Sequence, residues 1–280
     1  MGDLNSDIEH DALRRHGWLT SLALRSDLIV LGSAAEINVT DARIVIRTPS
    51  IPTFRLGNAA LFPRPPERAD VTKWVGILTT DVGWPPAVNG RIAWEGERPS
   101  GETYEAFRAL GLAQYDSLSM VAAEIRSSLG PAGVTVRQVA GAVGWADLLR
   151  FQGRSVDPRD VSGRQFLVQR LDLYRRRAAE GDAAWFAAYR DGGLVGCCGV
   201  VLGEQFGRLQ GLETAAEHRR VGAGRALVLA AGRWALDRGR QVVAVADPEY
   251  HAARLFESAG FKPHDLACGL VPARSMPSAG

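Results

Sequence analysis

Apolar positions recur along this chain in two rhythms, every second residue over short runs and every third or fourth over longer ones. That alternation predicts strands interleaved with helices. In the first half the pattern predicts a helix over 7–25 with Leu13, Trp18 and Leu22 near one face, strands over 36–39 and 44–47, and a strand over 56–62. The run Pro63-Arg64-Pro65-Pro66 lacks ladder donors and reads as a loop, followed by a short helix over 70–79. A strand over 91–94, a helix over 104–110 stopped by Gly111, and a strand over 117–122 complete this half.

Gly130-Pro131-Ala132-Gly133 reads as a linker. Beyond it come a strand over 134–139, a helix over 145–151 and a longer one over 162–180, with Leu167, Leu171 and Tyr174 at helical spacing. Two strands, 185–189 and 194–202, flank Asp191-Gly192-Gly193, a strong hairpin signal. An apolar segment then runs into Glu213 and Thr214, and a helix begins at Arg225 with Leu227, Ala230, Ala231 and Trp234 along one face. After a strand over 242–246, Asp247 as cap, Pro248 at the first helical position and Gly260 just past the end delimit a last helix. Ala252, Leu255, Phe256 and Ala259 form its apolar face.

Composition narrows the class. At 280 residues, 46% hydrophobic and 23% charged, the chain has room for one large or two ordinary globular domains. A net charge of +2 is too small to argue for nucleic acid, and Lys73 and Lys262 are the sole lysines, so the positive charge is almost all arginine. Cys197, Cys198 and Cys268 are odd in number without paired spacing, which fits a reducing compartment. The start, Met1-Gly2-Asp3-Leu4, has no basic segment followed by a long apolar run, and no stretch approaches 18 apolar residues, so the expectation is a cytoplasmic protein without a membrane partner. Nothing in the sequence calls for a metal.

The chemistry concentrates between Leu212 and Arg225, in the order strand, basic glycine-punctuated turn, helix. Glycines at 222 and 224 uncover backbone N–H groups, and the helix that follows offers its unpaired N-terminal donors to the same place. Arg219, Arg220 and Arg225 can pair with phosphate oxygens, so a pyrophosphate-bearing ligand is expected; an ordinary turn with solvated arginines is the alternative. A dinucleotide fingerprint fails because Leu227 stands where the third glycine belongs, and no Gly-Lys-Ser/Thr follows for a nucleoside triphosphate.

Arg219-x-x-Gly222-x-Gly224 after a strand, with Arg254-Leu255-Phe256-Glu257-Ser258-Ala259-Gly260-Phe261 downstream, resembles the acyl-CoA loop and last helix of the GNAT N-acetyltransferase family. The resemblance covers about Val134 to Val271. It implies an α/β (α+β) fold with a mixed, mostly antiparallel sheet flanked by helices, in tandem with a degenerate copy: domains 1–130 and 134–275. One echo supports duplication, since Phe107-x-x-x-Gly111-Leu112 matches Phe256-x-x-x-Gly260-Phe261 at an offset of 149 residues (Phe107 against Phe256). The same offset sets Asp70, Lys73 and Val75 against Arg219, Gly222 and Gly224, so the first half is expected to lack a phosphate loop.

The resemblance further implies acetyl-CoA as co-substrate, held by Thr214, Ala215, Ala216, Arg219, Arg220, Val221, Gly222, Ala223, Gly224, Arg225, Glu249 and Phe256, and a small-molecule amine as acceptor. A homodimer is left open. An amine attacking the thioester needs a base, a polarised carbonyl and an acid for the departing thiolate. Glu213 is the candidate base, its alternative being a strand-edge carboxylate paired with an arginine. The family often carries the acid as a tyrosine where this chain has Phe256, so Tyr250 is the substitute candidate, and Glu249 stands where the family often has asparagine. The loop 153–160, with Arg154, Asp157 and Arg159, would lie over the acceptor or else be simply solvated. Without the tyrosine, a non-catalytic acyl-CoA-binding or regulatory protein is the rival reading. Cys197 and Cys198, inside a strand with no basic neighbour, read as small core residues.

Overall fold

The computed structural model describes residues 19–83, 89–126, 133–249 and 251–273. Its helices and strands, in chain order, are α1 (Leu22–Leu31), β1 (Glu36–Val39), β2 (Ile44–Arg47), β3 (Ala59–Phe62), α2 (Val71–Ile77), β4 (Arg91–Glu95), α3 (Gly101–Ala109), β5 (Leu112–Ala122) and β6 (Thr135–Gln138), then α4 (Gly141–Gly153), α5 (Val161–Glu180), β7 (Ala183–Arg190), β8 (Gly193–Leu202), β9 (Phe206–Thr214), α6 (Ala223–Leu236), β10 (Gln241–Ala246), α7 (Ala252–Ala259) and β11 (Lys262–Pro272). The chain divides into two compact units, one of residues 1–118 with 265–280, the other of residues 119–264. This packing division differs from one drawn at the Pro131 linker: the last strand counts with the first unit and the end of β5 with the second. Residues 127–132, where that linker falls, lie outside the described residues, as does most of the helix expected over 7–25.

In the first unit the strand order is β1-β2-β3-β4-β11-β5. β1/β2, β2/β3 and β4/β11 pair antiparallel, while β3 and β4 run parallel, joined through α2. The core gathers Phe62, Trp74, Trp94, Phe107, Cys268 and Leu270, with Phe62 stacked on Trp74 at 3.7 Å between ring centroids. β11 also serves α1. The Asp265 carboxylate accepts from Leu22 N (2.7 Å) and Ser21 Oγ (2.9 Å), placing negative charge at the helix N-terminus.

The second unit orders its strands β5-β10-β9-β8-β7-β6. β6/β7, β7/β8 and β8/β9 are antiparallel and β9/β10 parallel. The hairpin between β7 and β8 turns on Asp191 (φ 50°) and Gly192 (φ 79°), both left-handed, as a two-residue loop of this twist requires. Glycines let α6 lie close on its face of the sheet: a Cβ on Gly207 would come 2.7 Å from the Ala235 Cβ. Trp185 packs among Trp145 and Tyr174, from α4 and α5.

Several expected boundaries move: α1 runs on to Leu31 rather than stopping at 25, α4 spans Gly141–Gly153 rather than 145–151, and β5 begins at Leu112 rather than 117. β3 begins at Ala59 because Arg55–Gly57 forms a 3-10 turn first. Asp247 does not cap α7: its Oδ1 accepts from Glu249 N (2.9 Å) in a local turn, and the helix starts only at Ala252.

Both units contain strand, loop, helix, parallel strand, helix. The loop offset is 152 residues rather than 149, with Val71 against Ala223 at the helix starts and Phe62 against Thr214 at the strand ends. Gly222 therefore corresponds to Asp70, and Gly224 to Thr72.

Candidate active site

β9 and β10 pair only at Phe206↔Gln241, Gly207↔Val242 and Arg208↔Val243. Beyond Arg208 the two strands continue without cross-strand partners on that flank. On the other flank β9 carries a bulge against β8: Glu213 pairs with Cys197 and Gln210 with Gly199, leaving Gly211 and Leu212 opposite Cys198. Gly211 is left-handed (φ 58°), which only glycine adopts cheaply. The combination opens a wedge beside the end of β9.

The turn beyond Thr214 closes one end of this wedge. Arg220 (φ 66°) and Gly222 (φ 87°) are left-handed, curling the backbone so that α6 starts at Ala223 with Gly222 as its cap. A left-handed arginine costs roughly 1–2 kcal/mol, a strain found where a loop must hold a ligand. The N–H groups of the first helical turn have no partner within the helix, which makes the place a ready anion site. Arg219 and Arg220 are exposed; Arg219 Nε donates to Thr214 O (3.5 Å), and an Arg225 NH2 group donates to Ser258 O (3.3 Å), tying α6 to α7. Thr214, Ala215, Val221 and Gly224 are half-buried, Ala216 exposed and Ala223 buried, all within this turn.

Glu213 is half-buried and its Oε1 accepts from Ser155 Oγ at 2.7 Å. Its observed partner is therefore a hydroxyl of the 153–160 loop, not an arginine. Behind it, Gln152 is buried and its Nε2 donates to Cys197 Sγ (3.4 Å), while Arg170 donates to Gln152 Oε1 (3.2 Å). Burial foremost, and the Glu213 charge after it, push the Cys197 thiol up to about 12, so it stays protonated at neutral pH. Cys198 and Cys268 are likewise buried free thiols, raised chiefly by burial.

Phe256 is buried against Phe261, with ring centroids 5.5 Å apart. Glu249 is exposed in the turn before α7, and Tyr250 lies outside the described residues. Ser155, Gln152, Arg170 and the bulge at Gly211 are absent from the sequence reading. An isolated glycine inside a strand pattern was the one available signal, for the bulge.

In the equivalent turn of the first unit a carboxylate, Asp70, stands at the helix start. Asp70 Oδ2 accepts from Arg64 NH1 (2.8 Å) and from Glu67 N (2.9 Å). Burial pushes the Asp70 carboxyl up, but the Arg64 and Glu67 hydrogen bonds outweigh it and hold the group below its usual range.

Residues 151–261 match the family model described as the acetyltransferase (GNAT) family. This segment is a GNAT domain. Its match contains the wedge, the turn and α6. No curated protein sequence matches the chain. Among solved structures, a conserved protein of unknown function from Staphylococcus epidermidis aligns over 88% of this chain and 97% of its own at 14% identity, TM-score 0.66. A GCN5-related N-acetyltransferase from Kribbella flavida aligns over 90% and 96% at 18% identity, TM-score 0.62, and a Drosophila protein over 98% of both chains at 12% identity, TM-score 0.58. At such identities the likeness is one of fold, and it extends over both units. Among the described residues no helix is long and apolar enough to cross a membrane.

Proposed function

We propose that the GNAT segment acts as an acyl-CoA-dependent N-acyltransferase that moves acetyl from acetyl-CoA to the amine of a small molecule by direct attack. The observation that supports it best is the wedge beside β9 ending on the left-handed turn at Arg220 and Gly222, which suits an extended arm with a pyrophosphate at one end. Acetyl-CoA supplies an activated thioester. Glu213 takes one proton from the acceptor's ammonium, the amine nitrogen bonds to the carbonyl carbon, and the carbon–sulfur bond breaks to release a thiolate that takes up the second proton shed by the nitrogen. The Leu212 N–H at the bulge polarises the carbonyl. Turnover of acetyl-CoA against an amine panel, read as free thiol, tests this; no thiol release with any amine favours the second reading.

That second reading is acyl-CoA binding without transfer. Phe256, where a tyrosine would supply the thiolate's proton, is committed to the core. Retained CoA in native mass spectra without turnover would support it.

Glu213→Gln should lower kcat about a hundredfold with little change in CoA affinity, and most strongly at low pH, where ammonium is hardest to deprotonate. An unaltered pH–rate profile would leave Glu213 only its contact with Ser155. Calorimetry should give one CoA per chain, because Asp70 occupies the first unit's equivalent of Gly222 and would repel phosphate. Two equivalent sites would contradict this.

A further inference from the structure

The Arg170, Gln152 and Cys197 side chains form a line of hydrogen bonds that ends on the bulge of β9. Direction along it is fixed by chemistry. Arginine only donates, so the Gln152 end it meets must be Oε1, and Nε2 must then face sulfur. Cys197 Sγ accepts from that amide and donates its own hydrogen to Gly211 O at 3.5 Å. Every donor in the line points toward the bulge carbonyl, an arrangement in which each bond polarises the next. The thiol, neutral at working pH, keeps the hydrogen the last step needs.

A peptide unit is planar, with carbonyl and N–H pointing in opposite directions. Turning the Gly211 carbonyl toward Cys197 on β8 thus turns the Leu212 N–H away from β8, toward the flank where β10 has diverged. A glycine at 211 permits this: at φ 58° another residue would resist the same peptide orientation.

We infer that Gln152 and Cys197 are positioning residues, holding the Gly211–Leu212 peptide so that the Leu212 N–H faces the acyl carbonyl of bound acetyl-CoA. The inference rests on the acyl-transfer reading above. It assigns the cysteine a role that buried strand cysteines do not ordinarily have, and it makes Arg170 the anchor of the line.

The test uses the full chain with acetyl-CoA labelled with carbon-13 at the carbonyl, read by infrared difference spectroscopy. Bound to the unaltered protein, the carbonyl stretch should move to lower frequency than in water. Cys197→Ala and Gln152→Met should each lose most of that shift and lower kcat about tenfold, with CoA affinity within twofold. Cys197→Ser, which keeps a donor, should restore both. Two variants at different points of the line guard against one that fails to fold, checked by circular dichroism. A shift and kcat unchanged in both Cys197→Ala and Gln152→Met would overturn the inference while leaving acyl transfer standing. Absence of acetyl-CoA binding by the unaltered protein would overturn acyl transfer and the inference together.

Discussion

Gly222→Glu should weaken acetyl-CoA binding at least a hundredfold, a loss of about 2.7 kcal/mol. Two effects act together. Gly222 is left-handed (φ 87°) and caps α6, so a side chain there strains the turn that aims the first-turn N–H groups. A carboxylate also puts negative charge at the positive end of the helix, where an anion would sit. The strain amounts to about 1–2 kcal/mol, small against the 5–15 kcal/mol that holds a typical domain, so the fold should survive. Gly222→Asn separates the two effects, since asparagine tolerates left-handed backbone and carries no charge. It should bind acetyl-CoA at most tenfold more weakly, a difference of about 1.4 kcal/mol. Calorimetry on both variants, beside their thermal midpoints, reads the outcome; unchanged affinity in Gly222→Glu would remove the turn at 219–225 from the site.

Much of this site was legible because its signals are local. Two glycines, three arginines and a helical pattern in a short stretch specify a turn and a helix start whatever surrounds them, and that is where the structure puts them. The hairpin at Asp191-Gly192 was readable for the same reason. The contacts of Glu213 were not. Ser155 is 58 residues away from it, and the line from Arg170 through Gln152 and Cys197 to Gly211 joins two helices and two strands. No periodicity encodes which loop hydroxyl reaches a carboxylate. At α7 local chemistry misled: Asp-Pro is a good helix start, but Asp247 closes its own turn on Glu249, and the helix waits until Ala252.

A chain ending at His264 should lose the fold of the first unit and not merely soften the second. A division at the Pro131 linker assigns 265–275 to the second half, but the described ones among them, 265–273, cluster with the described residues of the first unit. β11 pairs with β4 through Ala267↔Glu95, Cys268↔Trp94, Gly269↔Ala93 and Leu270↔Ile92, and it lies between β4 and β5 in that unit's sheet. Cys268, Leu270 and Val271 are fully buried. Burying a side chain such as leucine or valine contributes about 1.5–3 kcal/mol, and loss of a helix cap like Asp265 at Leu22 costs about 1 kcal/mol. Two large side chains, a cap and four ladder pairs together approach the whole stability of an ordinary domain. Residues 151–261 lie outside this deletion. Limited proteolysis should accordingly cut the shortened chain within 19–118 while sparing the GNAT segment, and Asp265→Ala in the full chain should show a milder form of the same effect. Equal protease resistance across 19–118 with and without β11 would return the boundary to the linker. A fragment starting at Gly133 makes the converse case, because it lacks Ser119–Ala122, the part of β5 that flanks β10 within the second unit. β10 would then present an open edge, so that fragment should be less soluble than the full chain.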